Sequence, residues 1–213
     1  MSKKLAEIRN EYKYQQLTEN NVNHNPFLQL KSWLDEAIAS EIYEPTAMNL
    51  ATVGSDSKPS SRIVLLKELS EKGLVFFTNY ESKKGKELLQ NPLVAILFFW
   101  PELERQVRIE GKVEKISVRE SDIYFKSRPI GSRIGANISP QSQVIPNREV
   151  LEERQLEFTK KFESKEIPRP SHWGGYILMP DMFEFWQGRE SRLHDRLQFS
   201  SIGSQWKIER LAP

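Results

Sequence analysis

The hydrophobic positions along this chain switch period three times, from helical to strand-like, back to helical, and to strand-like again. In "NPFLQLKSWLDEAIAS" (25–40), Phe27, Leu28, Leu30, Trp33, Leu34 and Ile38 fall at helical spacing after an Asn-Pro start, which predicts one amphipathic helix. From residue 46 the texture becomes strand-like. "TAMNLATV", "SSRIVLLKEL", "GLVFFTN", "LVAILFFW" and "RQVRIEGKVEKISV" are separated by the turn-rich "GSDSKP", "SEKG" and "PELE". One short helix interrupts them in "ESKKGKELLQNP", where Ser82 can cap and Pro92 closes. Helical spacing returns after residue 118 in "VRESDIYFKSRP", followed by "IGSRIGANISPQSQ" and the charged amphipathic stretch "NREVLEERQLEFTKKFES". The last part reads as strands again: "WGGYILMP", "MFEFWQ", "RLHDRLQFS" and "QWKIERLAP". Consecutive strands joined by short turns imply a mostly antiparallel sheet curled into a barrel, with helices packed outside. The expected fold is a single α+β domain over 1–213. Its first twenty or so residues, charged and weakly helical over 2–16, read as a loose arm or lid.

Bulk composition narrows the chemistry. With 213 residues, 28% of them charged and 38% hydrophobic, the chain reads as an ordinary globular domain with a substantial core. A net charge of +2 is too mild to argue for nucleic acid, and no nucleic-acid partner is expected. The absence of cysteine removes disulfides, thiolate metal sites and a cysteine nucleophile. The longest apolar run, "LVAILFFW", is far short of the ~20 residues of a membrane helix, and the N-terminus shows no signal peptide. A cytoplasmic protein without a membrane partner is expected.

Several familiar sites are missing. Neither GxGxxG nor GxxxxGK[ST] occurs, and the three histidines, His24, His172 and His194, are too scattered to suggest a metal site. What remains are cationic and hydroxyl residues among aromatics, suited to planar, phosphorylated ligands. In "RIVLLK", Arg62 and Lys67 stand five residues apart, on opposite faces of a regular strand. Either they serve different ligands, or a bulge re-aims one, or the run is a core strand with charged ends. In "SKKGK", Lys83 and Lys84 oppose the helix dipole in a first turn, a conflict that a bound phosphate resolves; the alternative is a solvated charge run. In "YFKSRPIGS", Tyr124 and Arg128 are one helical turn apart, Pro129 ends the helix and Ser132 follows, a second possible phosphate grip or a simple helix terminus. Gln106, Gln141 and Ser142 could read the edges of a heterocycle. In "WQGRESRLHDR", read as an alternating strand, Arg192, His194 and Arg196 share one face and need an anionic or polar partner, while Leu193 and Asp195 share the other.

Taken together, "RIVLLK", "FFTN-YESKK", "ERQVRIEG", "YFKSRPIGSRIGA", "SPQSQ", "WGG", "EFWQG", "RLHDR" and "W-KIERLAP" resemble the pyridoxamine 5′-phosphate oxidase family, from about residue 5 to Pro213. The resemblance implies an FMN-binding split barrel, a homodimer with flavin at the subunit interface. It implies that FMN is held by Arg62, Ile63, Val64, Leu65, Leu66, Lys67, Phe77, Thr78, Lys83, Lys84, Gln106, Gln141, Ser142, Trp186 and Arg196. Substrate would be held by Lys67, Tyr124, Arg128, Ser132, Arg192, Leu193 and His194, under a lid of Arg9, Asn10, Glu11 and Tyr12. Arg192 and His194 would be the catalytic pair, and no metal is implied. The implied reaction is oxidation of pyridoxamine or pyridoxine 5′-phosphate by oxygen to pyridoxal 5′-phosphate, releasing hydrogen peroxide, and ammonia from the amine. Lys83, where arginine is common, Asn137, often tryptophan, and Asn10, often arginine, depart from the family pattern. The rival readings are an FMN split-barrel reductase with a nicotinamide donor and a colourless nucleic-acid binder. The reductase has no reason to keep Tyr124, Arg128, Ser132 and "RLHDR" together.

Overall fold

The structure, a computed structural model, describes residues 5, 11–12, 15–163 and 165–213. Asn25 caps the first helix, α1 (Pro26–Ala39), by accepting hydrogen bonds from the Phe27 and Leu28 N–H groups, and Pro26 sits in the first turn where its missing donor is harmless. The buried stripe is Pro26, Gln29, Leu30, Trp33, Leu34 and Ala37. Leu28 and Ile38, expected on that face, are half exposed instead. At 100° per residue Leu28 lies on the far side of the helix from Pro26, and Ile38 just beyond the stripe's edge.

Nine strands follow: β1 (Ala47–Val53), β2 (Pro59–Leu65), β3 (Glu68–Ser70), β4 (Gly73–Asn79), β5 (Leu93–Trp100), β6 (Arg105–Lys115), β7 (Trp173–Gln187), β8 (Asp195–Ile202) and β9 (Gln205–Arg210). They pair antiparallel in the order β2-β1-β5-β6-β7-β4-β3, with β8 and β9 branching from β7. β2 and β3 stand at opposite ends of that order, yet only Leu66 and Lys67 separate them in the chain. The sheet therefore curls until its edges meet, and there the Lys67 N–H donates to the Val75 carbonyl at 2.8 Å. The run "SSRIVLLKEL" is thus two strands broken at the point of closure.

The opposite correction applies to "WGGYILMP" and "MFEFWQ", which form one strand. Along one edge of β7, Trp173–Leu178 pairs with β4 and Met182–Gln187 pairs with β8. Pro180 falls in the gap between the two partners, where no ladder bond needs its missing N–H, and the register with β6 shifts between Glu110 and Gly111.

Inside the curl, Leu50, Ile96, Phe98, Val107, Ile109, Phe183, Phe185, Leu197 and Phe199 form the core, sealed by Leu30 and Trp33 of α1. The helices α2 (Lys83–Gln90), α3 (Val118–Ser127), α4 (Ile130–Ile138) and α5 (Glu149–Lys161) follow the expected spans. Ser82 caps α2 through the Gly85 N–H. A second, smaller cluster of Phe125, Ile134, Ile167 and Trp173 packs α3 and α4 beside the start of β7. Among the described residues no helix is long and apolar enough to cross a membrane.

The expected strand through "RLHDR" starts only at Asp195. Glu190–Arg192 form one tight turn, with Ser191 and Arg192 in the left-handed region at φ 55° and 62°. The Arg189 N–H reaches His194 Nδ1 at 3.1 Å and the Arg189 guanidinium pairs with Asp195 at 3.4 Å, folding the chain back over residues 190–193. Arg192, His194 and Arg196 therefore do not share a strand face.

Candidate functional site

At the Trp173 end of β7 a cavity of about 490 Å³ opens beside the barrel. Its floor is the end of β2, Ile63 to Leu65, with Lys67 just past it; its sides are Phe77 and Thr78 of β4, Lys84 of α2, and Tyr124, Arg128 and Ser132 from the α3–α4 corner. Lys67 joins this cavity because the break after Leu65 releases it from strand alternation. Phe77, Tyr124 and Trp173 stack nearly parallel, with centroids 3.8 Å apart for Phe77–Tyr124 and 5.3 Å for Phe77–Trp173. The glycines of "WGG" permit this, since a Cβ on Gly175 would lie 3.0 Å from the Phe77 ring and closer still to Ile116.

Among the described residues, the cavity's cations Lys67, Lys84 and Arg128 form no ion pair. The Arg128 guanidinium lies 4.5 Å over the Trp173 ring, and its Nη1 is buried with no hydrogen-bond partner. Burial pulls its pKa down, and burial likewise raises that of the Tyr124 phenol. Lys84 Nζ donates only to neutral oxygens, Thr78 Oγ1 at 3.0 Å and Gln141 Oε1 at 3.4 Å. Its pKa is lowered by burial first and by the nearby Arg62 second, against a smaller opposing pull from Glu87. A desolvated, uncompensated cation is costly, and an anion removes that cost.

Besides Gln106, Trp186 and Arg196, four residues expected at the flavin do not line this cavity. Arg62 turns away from the cavity: it bonds the Leu50 carbonyl, Thr52 and Ser60 and forms an ion pair with buried Glu87 at 3.2 Å. Lys83 points outward and pairs with the same Glu87 at 3.4 Å. Leu66 is buried in the core, and Ser142, at φ 69°, is exposed in the loop after α4. Glu87 itself went unmarked in the sequence, although its i,i+4 spacing from Lys83 was a signal.

The remaining residues gather at the other end of β7. Strand register sets Gln106, Trp186 and Arg196 side by side across β6, β7 and β8. The His194 ring packs 4.6 Å from Trp186, and Tyr12 meets both rings edge-on at 5.7 and 5.6 Å. Tyr12 approaches so closely that a Cβ on Gly188 would lie 2.7 Å from its ring. His194 is pulled below its ordinary pKa, by burial and then by Arg192. Arg192 and Leu193 are exposed at the turn, as is Glu11 in the arm. Arg9 and Asn10 lie outside the described residues. None of the described groups at this end lines the cavity, which sits at the opposite end of a 15-residue strand, roughly 40 Å of extended chain.

A pyridoxamine 5′-phosphate oxidase family model matches residues 34–159, and a pyridoxine 5′-phosphate oxidase C-terminal dimerisation region matches residues 173–213. The chain is 56% identical to the pyridoxine/pyridoxamine 5′-phosphate oxidase of Nostoc punctiforme, over 100% of both chains, and 54% identical to that of Cupriavidus pinatubonensis, over 98% and 99%. Among solved structures, PhzG from Burkholderia lata in complex with tetrahydrophenazine-1-carboxylic acid superposes with a TM-score of 0.87 at 31% identity, covering 93% of this chain and 98% of that one. A pyridoxamine 5′-phosphate oxidase-related, FMN-binding protein from Nostoc punctiforme shares the fold, with a TM-score of 0.71 at 19% identity, covering 89% of this chain and 98% of that one. With both halves matched and relatives aligned from end to end, the chain belongs to the pyridoxine/pyridoxamine 5′-phosphate oxidase family.

Proposed function

We propose that this chain, as a homodimer, carries out the FMN-dependent oxidation of pyridoxamine and pyridoxine 5′-phosphates by oxygen to pyridoxal 5′-phosphate, with each site completed by the second copy. The observation that carries the reading is the division of the site along β7. Two residue sets suited to one flavin and one pyridine ring lie too far apart in a single chain to meet on either. An antiparallel partner brings the Trp186 end of one copy to the Trp173 end of the other, and a two-fold axis makes two such sites.

In this arrangement Lys84, hydrogen-bonded only to neutral oxygens among the described residues, and the N–H groups at the start of α2 hold the flavin phosphate. Arg128, with Lys67, Tyr124 and Ser132, holds the substrate phosphate; its unpartnered Nη1 is the donor that fits it. From the second copy, Gln106, Trp186 and Arg196 cover the flavin, and Arg192 and His194 cover the pyridine. FMN, held there, would supply the two-electron redox chemistry that the side chains lack. His194 Nδ1 accepts the Arg189 N–H, so in the neutral ring Nε2 carries the proton and can donate to the substrate. Arg192, exposed at the turn, brings a planar cation to the same ring. The two phosphate grips fix both rings at a distance from the reacting atoms, so binding energy orients the reaction.

The test is to incubate purified, FMN-loaded protein with pyridoxamine 5′-phosphate in air. The reading predicts peroxide and pyridoxal 5′-phosphate in equal amounts. FMN-loaded protein that forms neither, but oxidises a nicotinamide donor, would make it a split-barrel reductase.

A further inference from the structure

Directly behind the Gln106–Trp186–Arg196 row lies a second one. The same register aligns Arg108, Glu184 and Gln198 on β6, β7 and β8. Alternate residues share a face, so both rows lie opposite the core residues Val107, Phe185 and Leu197. Glu184 is nonetheless 3% exposed. Its carboxylate accepts Arg196 Nε at 2.8 Å and Arg108 Nη1 at 3.1 Å, while Arg108 Nη2 turns to Glu110 at 2.7 Å. Arg196 is gripped from a second side: its Nη1 donates to the Ala212 carbonyl at 2.8 Å, and the Leu211 N–H donates to the Arg196 carbonyl at 3.0 Å. That fixes Nε and one terminal nitrogen and leaves Nη2 with no partner among the described residues.

A buried ion pair is a poor source of stability, because desolvating both charges offsets their attraction. An apolar pair of similar volume would hold β7 and β8 together as well. The bridge supplies geometry instead. A free arginine side chain loses considerable rotamer entropy when it binds a ligand. Glu184 and the C-terminal carbonyl remove that freedom beforehand, in the row that carries Trp186. The carboxylate also holds Arg196 charged, raising its pKa.

We propose that Glu184 is a positioning residue for flavin binding, acting through Arg196. This rests on the reading that Arg196 contacts FMN. The experiment is a double-mutant cycle on FMN affinity, titrating flavin-free full-length protein and following flavin fluorescence, with thermal midpoints recorded alongside. Glu184→Gln should weaken FMN about tenfold, since its amide cannot accept both guanidiniums, and Arg196→Ala should weaken it at least as much. In the Arg196→Ala background, Glu184→Gln should add less than twofold, because the group it positions is gone. Equal losses in both backgrounds would overturn the proposal, as a purely structural role predicts them. Unchanged affinity in Glu184→Gln, with Arg196→Ala weakened, would overturn it as well. Unchanged affinity in Arg196→Ala would instead sink the assignment of Arg196 to the flavin. If Glu184→Gln does not fold, Glu184→Asp, which keeps the charge and withdraws the carboxylate by one methylene, enters the same cycle with the same criteria.

Discussion

The two ends of β7 treat positive charge in opposite ways. At the Trp173 end, Arg128 has a buried nitrogen without a partner and Lys84 touches only neutral oxygens; burial lowers both pKa values. At the Trp186 end, Arg196 and Arg108 share the Glu184 carboxylate, Arg189 is paired with Asp195, and the Arg196 pKa is raised. In the proposed reading the first end takes anions. The second is a positioned surface on which Arg108, Arg189 and Arg196 already have carboxylate partners, and in the same reading it recognises rings more than phosphate. Under the proposed function, a chain carrying both ends this far apart needs a second copy to bring them together.

The comparison is broken most severely by removing the unpartnered cation. Arg128→Met should lower kcat/KM for pyridoxamine 5′-phosphate at least a hundredfold, about 3 kcal/mol, since a charged hydrogen bond is worth ~1.5–3 kcal/mol and this one sits in a desolvated pocket. Flavin content should stay at the parent level, and unphosphorylated pyridoxamine should react at the parent rate. Steady-state kinetics with both amines decides it; an equal loss for the two would assign Arg128 to something other than phosphate.

Next comes the Lys83→Ala/Lys84→Ala pair. FMN affinity should fall about thirtyfold, ~2 kcal/mol, with riboflavin nearly unaffected. Fluorescence titration of both flavins checks this. Because Lys83 is parked on Glu87 and Lys84 is not, the single Lys84→Ala variant should carry most of the loss.

Substitution at the Trp186 end should cost less. Arg192→Lys keeps the charge and loses the planar fork, and should cut kcat/KM about tenfold, ~1.4 kcal/mol, with flavin occupancy unchanged. Arg196→Lys should instead lose flavin first and recover part of its activity in excess FMN. Flavin absorbance measured beside turnover separates the two.

The smallest effect concerns His194. Its folded-state pKa is depressed, so the native state holds fewer protons than the unfolded one, and the stability it contributes is lost as pH falls below about 6.5. Burial is the larger cause and Arg192 the smaller. Arg192→Leu should therefore raise the His194 titration midpoint while leaving it below the ordinary value, as followed by the ring proton resonances. A midpoint that does not move would show that Arg192 is too well solvated to matter.

Much of this was legible in the chain, for local reasons. Asn25-Pro26, Ser82 and the Pro129 stop act through neighbouring backbone, so α1, α2 and the end of α3 stood where the residues said. Lys84 could be singled out because lysines in a first turn oppose the helix dipole, Lys67 because it ends an apolar run, and Tyr124, Arg128 and Ser132 because they gather within a turn of a helix stop. What the sequence could not show was where those elements meet. Alternation placed Arg62 and Lys67 on opposite faces, but barrel closure at Leu66–Lys67, not a bulge, frees Lys67, and buried Glu87 turns Arg62 inward. The strand read through "RLHDR" failed because Arg189 bonds across to His194 and Asp195, an interaction with no periodic signature. Glu184 looked like one more alternating polar position; its burial arises from arginines on two other strands.

The central claim is that one working site draws its cavity from one chain and its Trp186 face from another, and subunit complementation tests it most directly. Arg128→Met damages only the cavity and Arg192→Leu only the turn, so each homodimer should be nearly inactive. After unfolding, mixing in equal amounts and refolding, half the dimers are hybrids, and each hybrid holds one site free of both changes. The account predicts recovery of about one quarter of parental activity. Activity that stays at the level of the separately refolded variants would mean that both halves of a site come from the same chain, and would contradict it.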